Sequence, residues 1–397
     1  MVYAKKPVTK LKCQYEEKMG KMNIYDIAKK ANVSPATVSR VLNGNQSVRE
    51  KTRKKVQQII DESNYVPNSL ARSLSVGDIR NIAFLAPDIE NSFFSKILHG
   101  LSDTASQYDY NVFMYGTNDD LEVEHRMLEG IRKEMVKGVV LIPVTDNDEK
   151  TIELLKELEK NQIPVVLLDR DIRGENFDGV YSDDCQGAKD AVNCLIEEGH
   201  KKIAIVTGDE NTRPGRERLK GYRKALKEAG IEEKPESIVN GHFKENMSYK
   251  VCQKLMELPD PPTAIFSSNN LTTLGCLKYM KEHKIRIGKD ISLVGFDEIH
   301  ELTYTELELT VVDRPIYEMG CAALELFEMS VRSMEEGRNK VLKHTSLVET
   351  KLIRRGSEML KKYQKNRDMK QGIGFPVLCF FTFLNENKLD EIYPSCF

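Results

Sequence analysis

Residues 24–43 read IYDIAKKANVSPATVSRVLN, and this stretch decides the fold of the amino-terminal part of the chain. Ile27, Ala28 and Ala31 place a small apolar stripe on one face of a first helix. Asn32 follows, and asparagine tolerates the left-handed backbone conformation that a tight turn needs. The stretch therefore predicts a short helix that ends in a turn at Asn32.

A second helix is predicted directly after this turn. Ser34 is a good N-cap, and Pro35 suits the first helical turn because its missing amide hydrogen would have no partner there. Val38, Val41 and Leu42 form the buried side of this helix. Its outer face is left to small and polar residues with one arginine, namely Pro35, Ala36, Thr37, Ser39, Arg40 and Asn43.

Two short helices joined by such a turn form a helix-turn-helix, whose second helix enters the major groove of DNA. Small residues at the start of that helix permit close approach, and Arg40 can donate two parallel hydrogen bonds to guanine. Helix pairs are common, so the pattern by itself leaves a purely structural pair as the alternative.

The distribution of charge favours DNA binding. Residues 22–77 contain nine Lys and Arg against four Asp and Glu, and residues 1–21 contain six Lys against two Glu. Since the whole chain has a formal net charge of -2, the remainder is acidic. A basic head on an acidic body is typical of a polyanion-binding module attached to a part with another task. An uneven surface without function is the alternative.

From Asn81 onward, short β-rich segments alternate with longer amphipathic helical segments. Strands without polar alternation, separated by helices, predict parallel sheets that are covered on both faces, and the run is too long for one sheet. The predicted strands include Ile82–Ala86, Asn111–Tyr115, Gly138–Ile142, Pro164–Asp169, Lys202–Thr207, Thr263–Phe266 and Ile291–Phe296. The predicted helices include Phe94–Tyr108, Leu121–Lys137, Gln186–Glu198 and Arg218–Ala229.

The run from Tyr25 to Gly44 resembles the head-piece of the LacI/GalR family of transcription regulators nearly residue for residue. This resemblance places Pro35, Ala36 and Arg40 at base-reading positions. Because Pro35 and Ala36 have little hydrogen-bonding capacity, Arg40 is expected to carry much of the base discrimination. The residues that fall where the family contacts phosphates or bases are Tyr25, Ser34, Thr37, Ser39 and Asn43.

Residues 65–74, YVPNSLARSL, resemble the hinge helix of the same family. By that resemblance Leu74 is a wedge in the minor groove, and Asn68, Ala71 and Arg72 lie near the DNA. A helix this short is marginal in water, so we expect it to form only when two copies pair on bent DNA. An ordinary apolar linker residue is the alternative for Leu74.

The resemblance covers roughly residues 22–355 and implies a body like a periplasmic sugar-binding protein, with two α/β lobes around a cleft. Ligands of open α/β sheets bind at the carboxyl ends of the strands. The alternatives are core packing for the aromatic residues there and a solvated helix charge for Arg218. The residues that the resemblance assigns to effector contact are Phe93, Phe94, Arg170, Arg218, Asn269, Asp297 and Arg314.

Two positions depart from the family pattern. Asn270 stands where the family usually has Asp, and Arg314 stands where Gln is more usual. Both changes shift the cleft toward positive charge. With Arg170 and Arg218 they predict an anionic effector, such as a sugar acid or a sugar phosphate, unless a neighbour such as Asp169 neutralises an arginine.

The predicted fold class is α/β, with a three-helix DNA-binding head-piece and a hinge helix followed by a two-lobed, doubly wound, parallel-sheet domain of the periplasmic-binding-protein type. The predicted parts are an amino-terminal extension (1–21), the head-piece (22–65), the hinge (66–78), the effector-binding and dimerisation domain (79–356) and an atypical tail (357–397).

The predicted function is a transcription regulator, in the first instance a repressor, that binds a near-palindromic operator as a homodimer under the control of a small carbohydrate-like effector. A tetramer is also compatible with the sequence. The alternative is a regulator of the catabolite-control type, whose co-effector is a phosphorylated carrier protein, because that branch is similar over Ser34, Ala36 and Thr37.

Other function classes lack their signatures. The sequence has no P-loop lysine motif, HExxH, GxSxG or dinucleotide-binding glycine turn, so no catalytic residue, cofactor or enzyme activity is predicted. The eight cysteines include no CxxC pair and the seven histidines have no metal spacing, so no metal site is predicted. Neither a signal peptide nor an apolar run long enough to span a membrane is present, and a cytoplasmic protein is expected.

Overall fold

A computed structural model of the chain describes residues 22–42, 47–63, 79–131, 136–337 and 343–359. These residues fall into two units, one on each side of the Arg80–Asn81 bond. The predicted contact residue Asn43, the hinge at 66–78, the extension at 1–21 and the tail from residue 360 lie outside the described residues.

The first unit contains the helices α1 (Ile24–Ala31), α2 (Pro35–Leu42) and α3 (Glu50–Ser63). Asn32 ends α1 with a φ of 56°, in the left-handed region, as the sequence predicts. The Ser34 Oγ accepts a hydrogen bond from the Thr37 amide at 3.2 Å, which is the expected cap of α2.

One apolar cluster forms the core of this unit. It joins Ile27 and Ala28 of α1 to Val38 and Val41 of α2 and to Val56 of α3. The apolar stripes predicted for α1 and α2 are therefore confirmed. Because α2 buries this side, its opposite side remains exposed.

The second unit is an α/β body in which helices follow most strands. Its elements in chain order are β1 (Asn81–Ala86), α4 (Ser92–Ser106), β2 (Asn111–Gly116), α5 (Leu121–Ile131), β3 (Gly138–Leu141), α6 (Glu149–Lys160), β4 (Val165–Leu168), β5 (Asp178–Ser182), α7 (Asp184–Glu197), β6 (Ile203–Thr207), α8 (Arg213–Glu228), β7 (Ile238–Asn240), α9 (Glu245–Met256), β8 (Ala264–Ser267), α10 (Asn270–Glu282), β9 (Ser292–Phe296), β10 (Thr310–Asp313), α11 (Ile316–Glu335), β11 (Thr345–Val348) and β12 (Lys351–Ile353).

Two six-stranded sheets divide this body into two lobes. Lobe 1 has the strand order β11-β5-β4-β3-β1-β2, and lobe 2 has the order β12-β10-β9-β8-β6-β7. Among the described strand pairs, only β10 and β12 run antiparallel. The predicted doubly wound, two-lobed architecture is confirmed.

Each sheet has a buried apolar cluster on both faces. In β1, Ile82, Phe84 and Ala86 belong to one cluster, whereas Ala83 and Leu85 belong to the other. This two-sided burial explains why the strands show no alternation of polar and apolar residues.

In the described part of the chain, the backbone crosses between the lobes after β5, after β10 and after β11. The first crossing leads to α7, which packs on the sheet of lobe 2. The second leads to α11, which packs on the sheet of lobe 1. Three short segments therefore connect the lobes, at the sheet edges formed by β5 and β11 and by β10 and β12. The ends of the central strands face the space between the two lobes.

The strands named from the sequence do not include β5, β7, β10, β11 and β12, which are three to five residues long. Of these, β7, β11 and β12 are only partly buried. Packing of the body also continues past residue 356. Ser357 and Glu358 are buried, and the Ser357 Oγ accepts a hydrogen bond from the Thr310 amide at 2.8 Å. Within the described ranges, no helix combines the length and the apolar character needed to cross a membrane.

Candidate functional site

A cavity of about 80 Å³ lies between the two lobes. Residues that follow parallel strands line it from both sides, for example Asp169 after β4 and Asp297 after β9. The structure brings together around this cavity all the residues assigned to effector contact, which are Phe93, Phe94, Arg170, Arg218, Asn269, Asp297 and Arg314. That they bind an effector stays a prediction.

Phe93 and Phe94 form the aromatic wall of the cavity at the start of α4. Asn91 caps this helix, and its Oδ1 accepts a hydrogen bond from the Phe93 amide at 3.0 Å. The two rings pack edge to face with their centroids 5.1 Å apart. Both side chains also belong to the core of lobe 1, so core packing and the cavity wall are built from the same residues.

Arg314 connects the two lobes. In lobe 2, its Nε and Nη2 donate to the two carboxylate oxygens of Asp297 at 2.7 and 3.1 Å. In lobe 1, its Nη1 donates to Asp169 Oδ1 at 2.7 Å and to Ser182 Oγ at 3.0 Å. The guanidinium carbon lies 4.5 Å from the centre of the Phe93 ring, within cation–π range.

Arg218 is held entirely within lobe 2. Its Nε donates to Asp184 Oδ1 at 2.8 Å, and its Nη1 donates to the Ser268 carbonyl. The guanidinium carbon lies 3.8 Å from the centre of the Phe296 ring. Since the side chain is buried, Arg218 is not a solvated helix charge.

Arg170 is paired within lobe 1. Its Nη1 donates to Asp119 Oδ1 at 3.0 Å and to the carbonyls of Pro143 and Val144, each at 3.2 Å. All three arginines that were expected to attract an anion therefore already have aspartate partners. An arginine paired in this way presents no free positive charge, so these three arginines do not by themselves predict an anionic effector.

Burial and the neighbouring arginines have opposite effects on the pKa values of the buried aspartates beside Arg314 and Arg218. Burial raises the pKa of Asp169, but the positive charges of Arg314 and Arg218 outweigh it and hold that pKa below its ordinary value. For Asp184, burial outweighs the same two arginines and the pKa is raised. Burial lowers the pKa of Arg314. The negative charges of Asp297 and Asp169 raise that pKa by more, so Arg314 stays charged.

Two features of the cavity were not found from the sequence. The Asn270 Nδ2 donates a hydrogen bond to Asn91 Oδ1 at 2.8 Å, and this bond crosses between the lobes. Because the same oxygen caps α4, Asn91 must present it as an acceptor, and an aspartate at position 270 has no hydrogen to donate. Phe243 also lines the cavity, with a φ of 53° that is uncommon for a bulky residue.

The outer side of α2 is the candidate DNA-binding surface. Ala36 and Arg40 are exposed and lie about one helical turn apart on the same side. Tyr25, at the start of α1, is 70% exposed. The exposed Ser34 hydroxyl lies 2.9 Å from the Thr37 hydroxyl. The remaining described residues with predicted DNA contacts are partly exposed, namely Pro35, Thr37 and Ser39.

Five residues predicted to contact DNA lie outside the described residues. They are Asn43, Asn68, Ala71, Arg72 and Leu74. Their roles stay predictions from the sequence.

Comparisons with known proteins divide the chain into the same two parts. Residues 23–68 match the family described as "Bacterial regulatory proteins, lacI family". Residues 80–351 match "Periplasmic binding proteins and sugar binding domain of LacI family". Among solved structures, the lac repressor dimer bound to operator and the anti-inducer ONPF has a TM-score of 0.73 at 23% identity, over 86% of this chain and 100% of that one.

Similar sequences extend over most of the chain. Catabolite control protein A of Priestia megaterium is 34% identical over 306 residues, which are 77% of this chain and 91% of that protein. The HTH-type transcriptional repressor PurR of Aliivibrio salmonicida (strain LFI1238) is 32% identical over 331 residues, which are 83% of this chain and 98% of that protein. Since these two regulators are about equally similar, the comparisons do not favour the catabolite-control alternative.

A helix-turn-helix unit, followed in the sequence by a two-lobed body with a polar cavity, defines a class of DNA-binding transcription regulators. The matched segments and the relatives specify the family within that class. The chain belongs to the LacI family of bacterial regulatory proteins.

Proposed function

We propose that this protein is a transcriptional repressor that binds a near-palindromic operator as a homodimer and is controlled by a small, carbohydrate-like effector in the cavity between its lobes. The observation that carries the proposal is the division of α2 into two sides. Val38 and Val41 are buried in the head-piece core, whereas Ala36 and Arg40 are exposed on the other side. As a regulator of bacterial genes, the protein acts in the cytoplasm.

On DNA, α2 lies in the major groove with its first residues toward the bases. The guanidinium of Arg40 pairs with a guanine edge, and the methyl group of Ala36 contacts a thymine methyl. Two copies related by a two-fold axis read two half-sites, which is why the operator is near-palindromic.

The effector that suits the cavity is neutral and rich in hydroxyl groups. Phe93, Phe94 and Phe243 offer apolar surface for the face of a sugar ring, and Asn269 and Asn270 offer amide groups for hydroxyls. The pairing of the three arginines with aspartates supports a neutral ligand over a sugar acid or a sugar phosphate. An effector that touches both lobes changes the balance between their arrangements and thereby the affinity for DNA.

Selection of bound sequences from a random double-stranded DNA library tests the DNA-binding part. The wild-type protein is expected to enrich a near-palindromic site. Arg40→Ala should weaken binding to that site by about 1–3 kcal/mol and relax the base preference at one position of each half-site.

Lys55→Ala is the matched control, because Lys55 is exposed on α3 and its loss removes the same charge from the head-piece. This variant should weaken binding to all sequences alike, and only modestly. Identical base preferences for the wild type and Arg40→Ala would contradict the assignment of α2.

Isothermal titration tests the effector part, with neutral sugars, uronic acids and sugar phosphates as ligands. The expected result is binding of a neutral sugar that is lost in Phe93→Ala. Tight binding of anionic sugars alone would overturn the argument from the paired arginines.

A further inference from the structure

Arg314 stands at the point where the chain leaves lobe 2 and enters lobe 1. It directly follows β10, and α11 begins two residues later at Ile316 and packs on the sheet of lobe 1. The side chain is only 4% exposed. A buried cation at such a crossing needs partners, and the partners decide what it does to the two lobes.

The guanidinium of Arg314 divides its hydrogen bonds between the lobes. The bonds from Nε and Nη2 to Asp297 stay in lobe 2, and the bonds from Nη1 to Asp169 and Ser182 cross to lobe 1. Because the five N–H groups of arginine form a rigid planar fork, the bonds on one side fix the direction of those on the other.

The two aspartates occupy equivalent places in the two sheets. Asp169 follows β4 with a φ of 61°, and Asp297 follows β9 with a φ of 71°. Their amides donate to the Val180 carbonyl at 2.9 Å and to the Val312 carbonyl at 2.8 Å, in the neighbouring strands. The backbone of each aspartate is therefore fixed by its own sheet, and Arg314 spans the gap between their carboxylates.

A second bond crosses the same cavity. Asn270 of lobe 2 donates to the oxygen of Asn91 in lobe 1, and both side chains are buried. This bond is independent of Arg314, since it involves different elements, α10 and the cap of α4.

We propose that Arg314, together with Asn270, is an intramolecular latch that joins the two lobes across the ligand cavity, so that the lobes close without an effector. Closure buries Arg314 and Asp169 together as a pair, and either one alone would be a buried charge without compensation, so the closed arrangement depends on both partners. An effector therefore acts on a body whose closed arrangement is already favoured. The latch belongs to the two-lobed body, and its test does not involve DNA.

One backbone hydrogen bond reports lobe opening directly. The Asp146 amide in lobe 1 donates to the Asn211 carbonyl in lobe 2 at 2.9 Å, so its hydrogen exchange requires the lobes to separate there. Ion pairs of Asp171 with Arg213 and Arg216, and of Asp146 with Arg216, also join the lobes. The side chains of the Asp171 pairs are 22–24% exposed, whereas the Asp146 carboxylate is buried and its pair is common to all the variants compared. Exchange is therefore measured in high salt, which screens the exposed pairs more than the buried latch.

The experiment measures amide hydrogen exchange in four full-length proteins, namely the wild type, Arg314→Gln, Asn270→Asp and Arg218→Gln. Exchange is resolved to the peptide that contains Asp146. Arg218→Gln is the matched control, because it removes a buried cavity arginine whose hydrogen bonds all stay within lobe 2. The Asp169 amide, whose bond stays within lobe 1, is the internal reference for local unfolding.

Arg314→Gln is expected to speed exchange of the Asp146 amide at least about tenfold relative to the Asp169 amide, because closure loses a buried ion pair. Asn270→Asp should act in the same direction, since it places a carboxylate against the Asn91 oxygen without changing the size of the side chain. It also serves as the second variant should Arg314→Gln fail to fold. The latch would be overturned if the exchange rate of the Asp146 amide, relative to that of the Asp169 amide, were equal in Arg314→Gln and Arg218→Gln. It would also be overturned if Asn270→Asp left this relative rate at the wild-type value.

Discussion

Replacing Gly100 by alanine probes a close contact between α4 and α11 in lobe 1. A Cβ at this position would lie 2.0 Å from the Tyr317 carbonyl oxygen and 3.0 Å from the Cys321 amide nitrogen. Both atoms belong to the backbone of α11, so no side-chain rotation relieves the overlap. To restore a normal contact, α4 must move away from α11 by about 1 Å or more.

The expected loss of stability follows from two opposing effects. Overpacking of a well-packed core costs about 1–3 kcal/mol, and a backbone overlap of this size belongs at the upper end of that range. The better helix propensity of alanine returns about 1 kcal/mol. We therefore expect Gly100→Ala to lower the free energy of unfolding by about 2 kcal/mol. Because Phe93 lies in the first turn of α4 and Arg314 precedes α11, effector affinity should fall as well.

Urea denaturation followed by circular dichroism measures this difference. Gly130→Ala is the matched control, since Gly130 lies in α5 and a Cβ there would meet no atom within 4 Å. That substitution should raise the free energy of unfolding by up to about 1 kcal/mol. If Gly100→Ala proves as stable as Gly130→Ala, the packing argument for α4 and α11 is refuted.

Three further predictions concern the hinge, the head-piece and the C-terminal segment of the body. Leu74→Ala should weaken binding to the operator while leaving weak, salt-sensitive DNA binding intact, and equal loss of both in a salt titration would contradict the wedge role. Asn32→Ala should destabilise the head-piece by about 1 kcal/mol because its φ of 56° is left-handed, whereas Asn32→Gly should not; thermal melts of the two variants decide. Burial lowers the pKa of His200, whose ring nitrogens lie 2.9 Å from Thr263 Oγ1 and 3.1 Å from the Glu358 carbonyl oxygen. The folded protein then takes up this proton less readily than the unfolded chain, so stability falls as the pH drops below 6.5. Melting temperatures measured across that range should show a smaller fall for His200→Gln.

The head-piece could be predicted from local sequence alone. The apolar spacing of Ile27, Ala28 and Ala31, the left-handed residue Asn32 and the cap Ser34 each act within a few residues of their own position. The structure places these residues as expected. The two sheets were also predictable, because strands buried on both faces have near-continuous apolar runs.

The composition of the cavity could be predicted, but its electrostatics could not. The arginines were assigned to the cavity by the family resemblance, whereas their partners depend on how distant segments meet. Arg314 and Asp169 are 145 positions apart, and Asn270 and Asn91 are 179 apart. A count of arginines therefore predicted an anionic effector, whereas the paired carboxylates favour a neutral one.

Binding of the full-length protein to its selected operator, followed by fluorescence anisotropy with and without the sugar identified by calorimetry, tests the proposed function most directly. The proposal predicts tight binding that Arg40→Ala weakens by about 1–3 kcal/mol at that site, and a shift in Kd of about 5- to 150-fold when the sugar is added. A protein that enriches no sequence from the random library, or that binds the sugar with no change in operator affinity, would contradict it.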